Sequence, residues 1–135
     1  MPKQLVNPPS LPAPRGFNHG IITTGGRLLF LAGQDAGDAT GQIVAPGNLE
    51  AQFEQVLRNL QAVVEEAGGS MQNIVKLNIF VANRSDYRAK LKPLGKIFRH
   101  YFGDYYPTTA LFEVSAFFQE GNLIEMEGIA VLDDK

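Results

Sequence analysis

The sequence predicts a single α+β domain in which two helices cover one face of a β-sheet. Three observations predict it. Apolar residues recur at three- and four-residue spacing in two separate stretches, 49–67 and 87–101. Between them, residues 75–81 alternate with period two, which puts one strongly apolar face on a strand. At both ends stand β-rich runs punctuated by glycine turns. With 135 residues the chain is long enough to bury a core without covalent staples.

Taken in order, residues 1–15 form a proline-rich arm. Pro8, Pro9, Pro12 and Pro14 deny both ladder hydrogen bonds and helix continuation, so an extended arm or ordered loop is expected. Ile21-Ile22-Thr23-Thr24 and Leu28-Leu29-Phe30-Leu31 flank Gly25-Gly26-Arg27, which predicts a hairpin through a tight turn. A loop carrying Asp38-Ala39-Thr40-Gly41 and Pro46-Gly47 follows. Leu49, Phe53, Val56, Leu57, Leu60, Val63, Val64 and Ala67 then mark an amphipathic helix ended by Gly68-Gly69.

Val75, Leu77, Ile79 and Val81 predict an internal strand with its apolar side toward the core. Tyr87, Leu91, Leu94, Phe98 and Tyr101 predict a second helix, with a kink or fresh start forced by Pro93. Two further strands, 107–116 and 123–132, are separated by the turn residues Gly121-Asn122. The predicted order is ββαβαββ. Two helices cover one face of such a sheet and leave the other to explain. Glu125 and Glu127 share a parity with Leu123, Ile129 and Val131, and Glu113 shares one with Thr109 and Leu111. A face both apolar and acid-bearing predicts burial against another copy of the chain, with polar groups gathered at a cleft.

Composition narrows the chemistry. Twelve basic against 14 acidic side chains leave a net charge of −2, with no global pull toward polyanions. The absence of cysteine removes disulfides, thiolate nucleophiles and cysteine-ligated zinc. Met1-Pro2-Lys3-Gln4 opens no apolar leader, and the apolar runs are too short to span a bilayer, so a cytoplasmic protein without membrane contact is expected. No GxGxxG, GxxxxGK, GxSxG or HExxH motif occurs. His19 and His100 lie far apart without metal-ligand spacing, so no metal is expected. His100 reads as a surface residue near a helix C-terminus, and His19 as a hydrogen-bonded histidine at a strand start.

The strongest chemical feature is Ile124-Glu125-Met126-Glu127, two carboxylates on one face of a strand otherwise built of core residues. Burial raises a carboxyl pKa and suits general acid/base work on water. The alternative is a polar strip at a sheet rim or subunit seam. Glu113 is expected to pair with Lys76 or Arg27. Residues 84–99 hold Arg84, Arg88, Lys90, Lys92, Lys96 and Arg99, half of all basic side chains. A solvated helix face is the simpler reading than an RNA surface, because no aromatic platform accompanies it.

The ordered set Gly16-Phe17-Asn18-His19, Leu29-Phe30-Leu31-Ala32-Gly33-Gln34, Thr40-Gly41-Gln42-Ile43, Gln52 to Asn59, Ala67-Gly68, Val75-Lys76-Leu77, Tyr105-Tyr106-Pro107 and Ile124-Glu125-Met126-Glu127 resembles the YjgF/RidA family, also called endoribonuclease L-PSP. The likeness runs from about residue 16 to Val131. It implies a chorismate-mutase-like fold and a homotrimer whose subunits build a central barrel, with a small-molecule cleft at each subunit interface. Archetypal members hydrolyse 2-imino or 2-enamino acids, such as 2-aminoacrylate, to 2-keto acids and ammonia without a cofactor.

The resemblance also shows where this chain departs. The arginine that clamps the substrate carboxylate is here Thr109. Phe17 stands for a tyrosine, Ala32 for the serine before Gly33, and Leu111 for a cysteine, while Glu125, the acid that positions or activates water, is kept. Three functions follow in order of expectation. The first is a divergent deaminase of a different enamine or imine, with Glu125 helped by Asn18 and His19. The second is a non-enzymatic binder holding a metabolite through backbone groups of Thr109 and Gly33. Last comes RNA binding by the basic helix.

Overall fold

The computed structural model describes residues 3–134; Met1, Pro2 and Lys135, and with them part of the reading of the N-terminal tetrapeptide, lie outside the described residues. The elements are β1 (Lys3–Val6), β2 (Gly20–Thr23), β3 (Arg27–Gln34), α1 (Leu49–Glu66), β4 (Ile74–Val81), α2 (Arg84–Ala89), α3 (Leu91–Phe102), β5 (Thr108–Glu113) and β6 (Ile124–Leu132). The class is α+β, as expected.

The first two predicted strands do not form a hairpin. β2 pairs antiparallel with β1, a strand at the start of the arm, while β3 opens a separate four-stranded sheet of order β3-β6-β4-β5. Gly25 and Gly26 do take the positive φ that a tight turn requires. A turn signal fixes where the chain reverses, and the partner of each strand is decided by long-range pairing. In the larger sheet β6 runs antiparallel between β3 and β4, and β5 lies parallel to β4, joined to it by α2 and α3.

α1 forms because Leu49, Phe53, Val56, Leu57, Leu60 and Val64 make one buried stripe. Asn48 caps it, its side-chain oxygen accepting from the Ala51 N–H at 3.0 Å. Helix α3 starts afresh at Leu91, which leaves Pro93 in the first turn, where no N–H is required. Its stripe is Leu94, Phe98 and Phe102. The helices cover the sheet face of Leu31, Leu77, Ile79, Val81, Ile124, Met126 and Ala130. On β4 the buried row begins at Ile74 rather than the expected Val75. The register shifts between Ile74 and Lys76, where Gly128 of β6 leaves room for the Lys76 carbonyl.

Two polar side chains of α1, the buried Gln52 and the half-buried Asn59, hold the loops. Asn59 donates to the carbonyls of Asp35 and Gly37 at 3.1 and 2.8 Å. Gln52 accepts from the Leu123 N–H at 2.8 Å and donates to the Gly121 carbonyl at 2.9 Å. These bonds fix the end of the β3–β6 pair where β3 leaves and β6 enters, the end that presents Glu125.

Candidate functional site

A cavity of about 420 Å³ opens between the helices, the edge strand β5 and the N-terminal arm. Phe53 of α1, Ile79 of β4 and Leu94 and Phe98 of α3 supply its apolar walls. Thr109 and Leu111 line it from β5, and Phe17 from the arm. Three of the residues singled out from the sequence therefore meet here. Thr109 and Leu111 register with Leu77 and Ile79, which are buried on the helix side. The expectation that Glu113, Thr109 and Leu111 lie on the open face is thus corrected. Glu113 pairs with neither Lys76 nor Arg27; its carboxylate accepts from the Arg84 N–H at 2.8 Å, at the start of α2, where a helix N-terminus attracts negative charge.

The arm is held over this cavity by Asn18 and His19. Asn18 donates from its side chain to the Tyr106 carbonyl at 2.7 Å and from its backbone to the Pro107 carbonyl at 3.3 Å. Its side-chain oxygen accepts from Asn7 at 2.9 Å. The His19 ring donates through Nε2 to the Pro12 carbonyl at 2.8 Å and meets Phe17 edge-on at 5.0 Å. Asn18 thus ties the arm to the turn before β5 and His19 folds the arm on itself, which sets Phe17 in place.

The cavity also gathers residues that the sequence did not single out for a site. Tyr87 and Tyr106 line it, and neither phenol has a hydrogen-bond partner among the described residues. Burial pushes the Tyr87 hydroxyl up to about 12, so it stays protonated and available as a donor. Arg15 and Arg99 line it as well. Arg99 was part of the basic stretch read as a solvated face, and within that stretch Lys90 is paired with Glu50 at 3.4 Å and Asp86 at 3.6 Å. His100 is exposed beside Tyr101. No local signal marks Arg15 or Arg99, because the arm and α3 meet only in the tertiary fold.

Glu125 lies elsewhere. On β6 it registers with Phe80 of β4, which in turn registers with and stacks on Phe112, so Glu125 faces away from the helices. Its carboxyl sits against Gly33, where a side chain would collide with it. Ala32 and Gly33 fall in a register break of β3 and have no Cα partner in β6. Desolvation first, then the negative charges of Asp35 and Glu127, hold the Glu125 carboxyl above the ordinary carboxylate range. Glu127 accepts from Asn78 at 3.3 Å. Around these acids the open face exposes Leu28 (65%), Phe30 (70%) and Phe112 (50%), a greasy surface with no covering element among the described residues.

Within one chain, then, Phe17, Thr109 and Leu111 share a cavity, while Glu125, Ala32 and Gly33 cluster on the opposite face of the sheet. Among the described residues no group of three or more His, Cys, Asp or Glu side chains could hold a metal ion, and no helix is long and apolar enough to cross a membrane.

Comparison with known proteins adds to this geometry. A family model described as endoribonuclease L-PSP matches residues 9–132. A RutC family protein of Pyrococcus abyssi is 34% identical over 131 residues, covering 96% of this chain and 98% of that protein. A 2-iminobutanoate/2-iminopropanoate deaminase of Dermatophagoides farinae is 26% identical over 132 residues, covering 98% of each. Among solved structures, the Rid-family protein YyfB of Yersinia pestis superimposes with a TM-score of 0.87 at 34% identity, over 98% of this chain and all of that one.

Proposed function

The chain belongs to the YjgF/RidA family, described also as endoribonuclease L-PSP, and from that premise we propose that it hydrolyses a reactive imine or enamine metabolite at a cleft between subunits of a homotrimer. The observation that carries the reading is the Glu125 carboxyl, desolvated, flanked by two other acids and lodged against a glycine. Such a carboxyl holds its proton more tightly than a free one and can relay it. As water adds to the C=N carbon, Glu125 takes a proton from it. That proton passes to the imine nitrogen to give the carbinolamine; Glu125 then takes the hydroxyl proton and hands it to the same nitrogen as the C–N bond breaks, so ammonia leaves and a carbonyl remains. The chemistry asks for no cofactor.

Glu125 and the cavity lie on opposite faces of one sheet, so the reading requires Glu125 of the partner subunit to be brought against this cavity. The exposed Leu28, Phe30 and Phe112 support burial of that open face against another copy. A second reading, a binder without catalysis, is favoured by Thr109, Phe17 and Leu111, which leave the cavity without the polar side chains the resemblance implies.

The test is to generate 2-imino acids in situ with an amino-acid oxidase from a series of L-amino acids and to follow their trapping by semicarbazide. Trapping falls for at least one imine when the protein is present, and Glu125→Gln restores it. Undiminished trapping across the whole series refutes the deaminase reading and leaves the binder. Molar mass in solution tests the trimer separately, and a monomer at working concentration removes the shared cleft.

A further inference from the structure

We infer that Arg15 and Arg99 form a two-armed carboxylate clamp at the lip of the cavity, selecting 2-imino or 2-enamino acids with a bulky apolar body over those of three or four carbons. The inference rests on the deaminase reading and names the substrate class for that same site.

Both arginines line the cavity, one from the N-terminal arm and one from the last turn of α3. Among the described residues neither guanidinium has an ion pair or hydrogen bond, so the charge of each is free to meet a ligand. Both are exposed residues, and the Arg99 guanidinium lies back along its own helix. Its Nη1 lies only 3.2 Å from where a Cβ on Gly95 would stand, and Gly95 is itself part of the cavity wall. A glycine four residues upstream, on the same helix face, thus makes the space in which the guanidinium folds back toward the cavity.

The rest of the site sets the size and polarity of the ligand. At about 420 Å³ the cavity falls within the roughly 300–1,000 Å³ of pockets that enclose drug-sized ligands. Its walls are apolar and aromatic. Thr109 puts a short hydroxyl on β5, already donating to the Pro107 carbonyl at 3.1 Å, so no cation occupies the strand side. Positive charge at the rim with an apolar interior fits an amphiphile that enters body first and leaves its carboxylate at the mouth. Guanidinium forks suit that carboxylate geometrically.

The probe is phenylpyruvate, the stable keto acid that would be the product from a bulky imine, titrated calorimetrically against the assembled protein. Phenylacetone, which lacks only the carboxylate, and pyruvate, which lacks the apolar body, are the controls. The wild type binds phenylpyruvate at least tenfold more tightly than either control. Arg15→Gln and Arg99→Gln each weaken phenylpyruvate roughly tenfold, the loss of a charge-assisted contact, and leave phenylacetone unchanged. Gly95→Ala, which crowds the Arg99 guanidinium without touching its charge, weakens phenylpyruvate in the same direction.

Equal binding of phenylpyruvate by the wild type and the Arg15→Gln/Arg99→Gln double variant overturns the clamp. So does equal binding of phenylpyruvate and phenylacetone by the wild type. Imine hydrolysis on the same proteins separates the two levels. Binding that depends on the arginines, in a wild type that hydrolyses no imine, refutes the deaminase reading while the clamp stands. Hydrolysis undiminished in the double variant refutes the clamp while the deaminase reading stands.

Discussion

Replacing Gln52 with methionine removes one buried polar side chain and spares the shape around it. Gln52 is fully buried on α1. Its oxygen accepts from the Leu123 N–H at 2.8 Å, and its amide donates to the carbonyls of Gly121 at 2.9 Å and Ala45 at 3.3 Å. Methionine fills a similar volume and makes none of these bonds. The Leu123 N–H, half-buried and left without its acceptor, costs about 1–3 kcal/mol. Gly121 and Ala45 are exposed residues whose carbonyls turn to water, so together they add about 1 kcal/mol. Burying the methionine side chain returns about 1 kcal/mol. The net loss is about 2 kcal/mol. With a urea slope of about 1–3 kcal/mol per molar, the unfolding midpoint moves down by about 1 M at matched protomer concentration. A shift below about 0.3 M would show that this clasp is incidental.

Two further outcomes follow from the site. Thr109→Arg places a guanidinium on the β5 wall of the cavity; it should raise hydrolysis of 2-iminobutyrate above that of the wild type and weaken phenylpyruvate by several-fold, since a third cation then occupies space meant for an apolar body. No gain in 2-iminobutyrate hydrolysis means that Phe17 and Ala32 matter as much as Thr109. Glu125→Gln bears on stability as well as catalysis. The raised pKa of Glu125 means that the folded chain binds the proton more tightly than the unfolded one, so stability drops as pH climbs from the unfolded value through the raised one. The glutamine variant escapes that loss: it should unfold at higher urea than the wild type at about pH 7.5, and the gap should close by about pH 4. A variant less stable than the wild type at neutral pH contradicts the desolvated acid.

The elements were legible wherever local periodicity decides structure. Most of the α1 stripe is legible from spacing: Leu49, Phe53, Val56, Leu57, Leu60 and Val64 are buried as expected, while Val63 and Ala67 are half-buried and Gln52 joins the buried face. Glu125 was placed on an open face by parity alone, and its register with Phe80 agrees. Pairing was not legible. β2 sits beside Lys3–Val6 rather than β3, and no turn residue encodes which distant strand completes a ladder. Parity failed for β5 for a related reason: it tells which residues share a face and not which face meets the helices. That choice is made by the register of Thr109 with Leu77. Arg15 and Arg99 were invisible as a pair, since 84 positions separate them and neither belongs to a motif.

The departures at Thr109, Phe17 and Leu111 and the two arginines belong to one physical account. A cation on β5 would hold a carboxylate against the cavity wall and leave little room beyond it, which suits a short imino acid. In the proposed clamp the positive charge stands at the rim, on the arm and on α3, which would make the same cavity outward-facing for charge and inward-facing for hydrocarbon. Threonine on β5 then frees volume, and leucine and phenylalanine where the resemblance implies cysteine and tyrosine make that volume apolar. Asn18 and His19 bear on the proposed clamp: Asn18 bonds the Tyr106 and Pro107 carbonyls and His19 bonds Pro12 within the arm, which together restrain the segment carrying Arg15 and would set the depth at which a carboxylate rests.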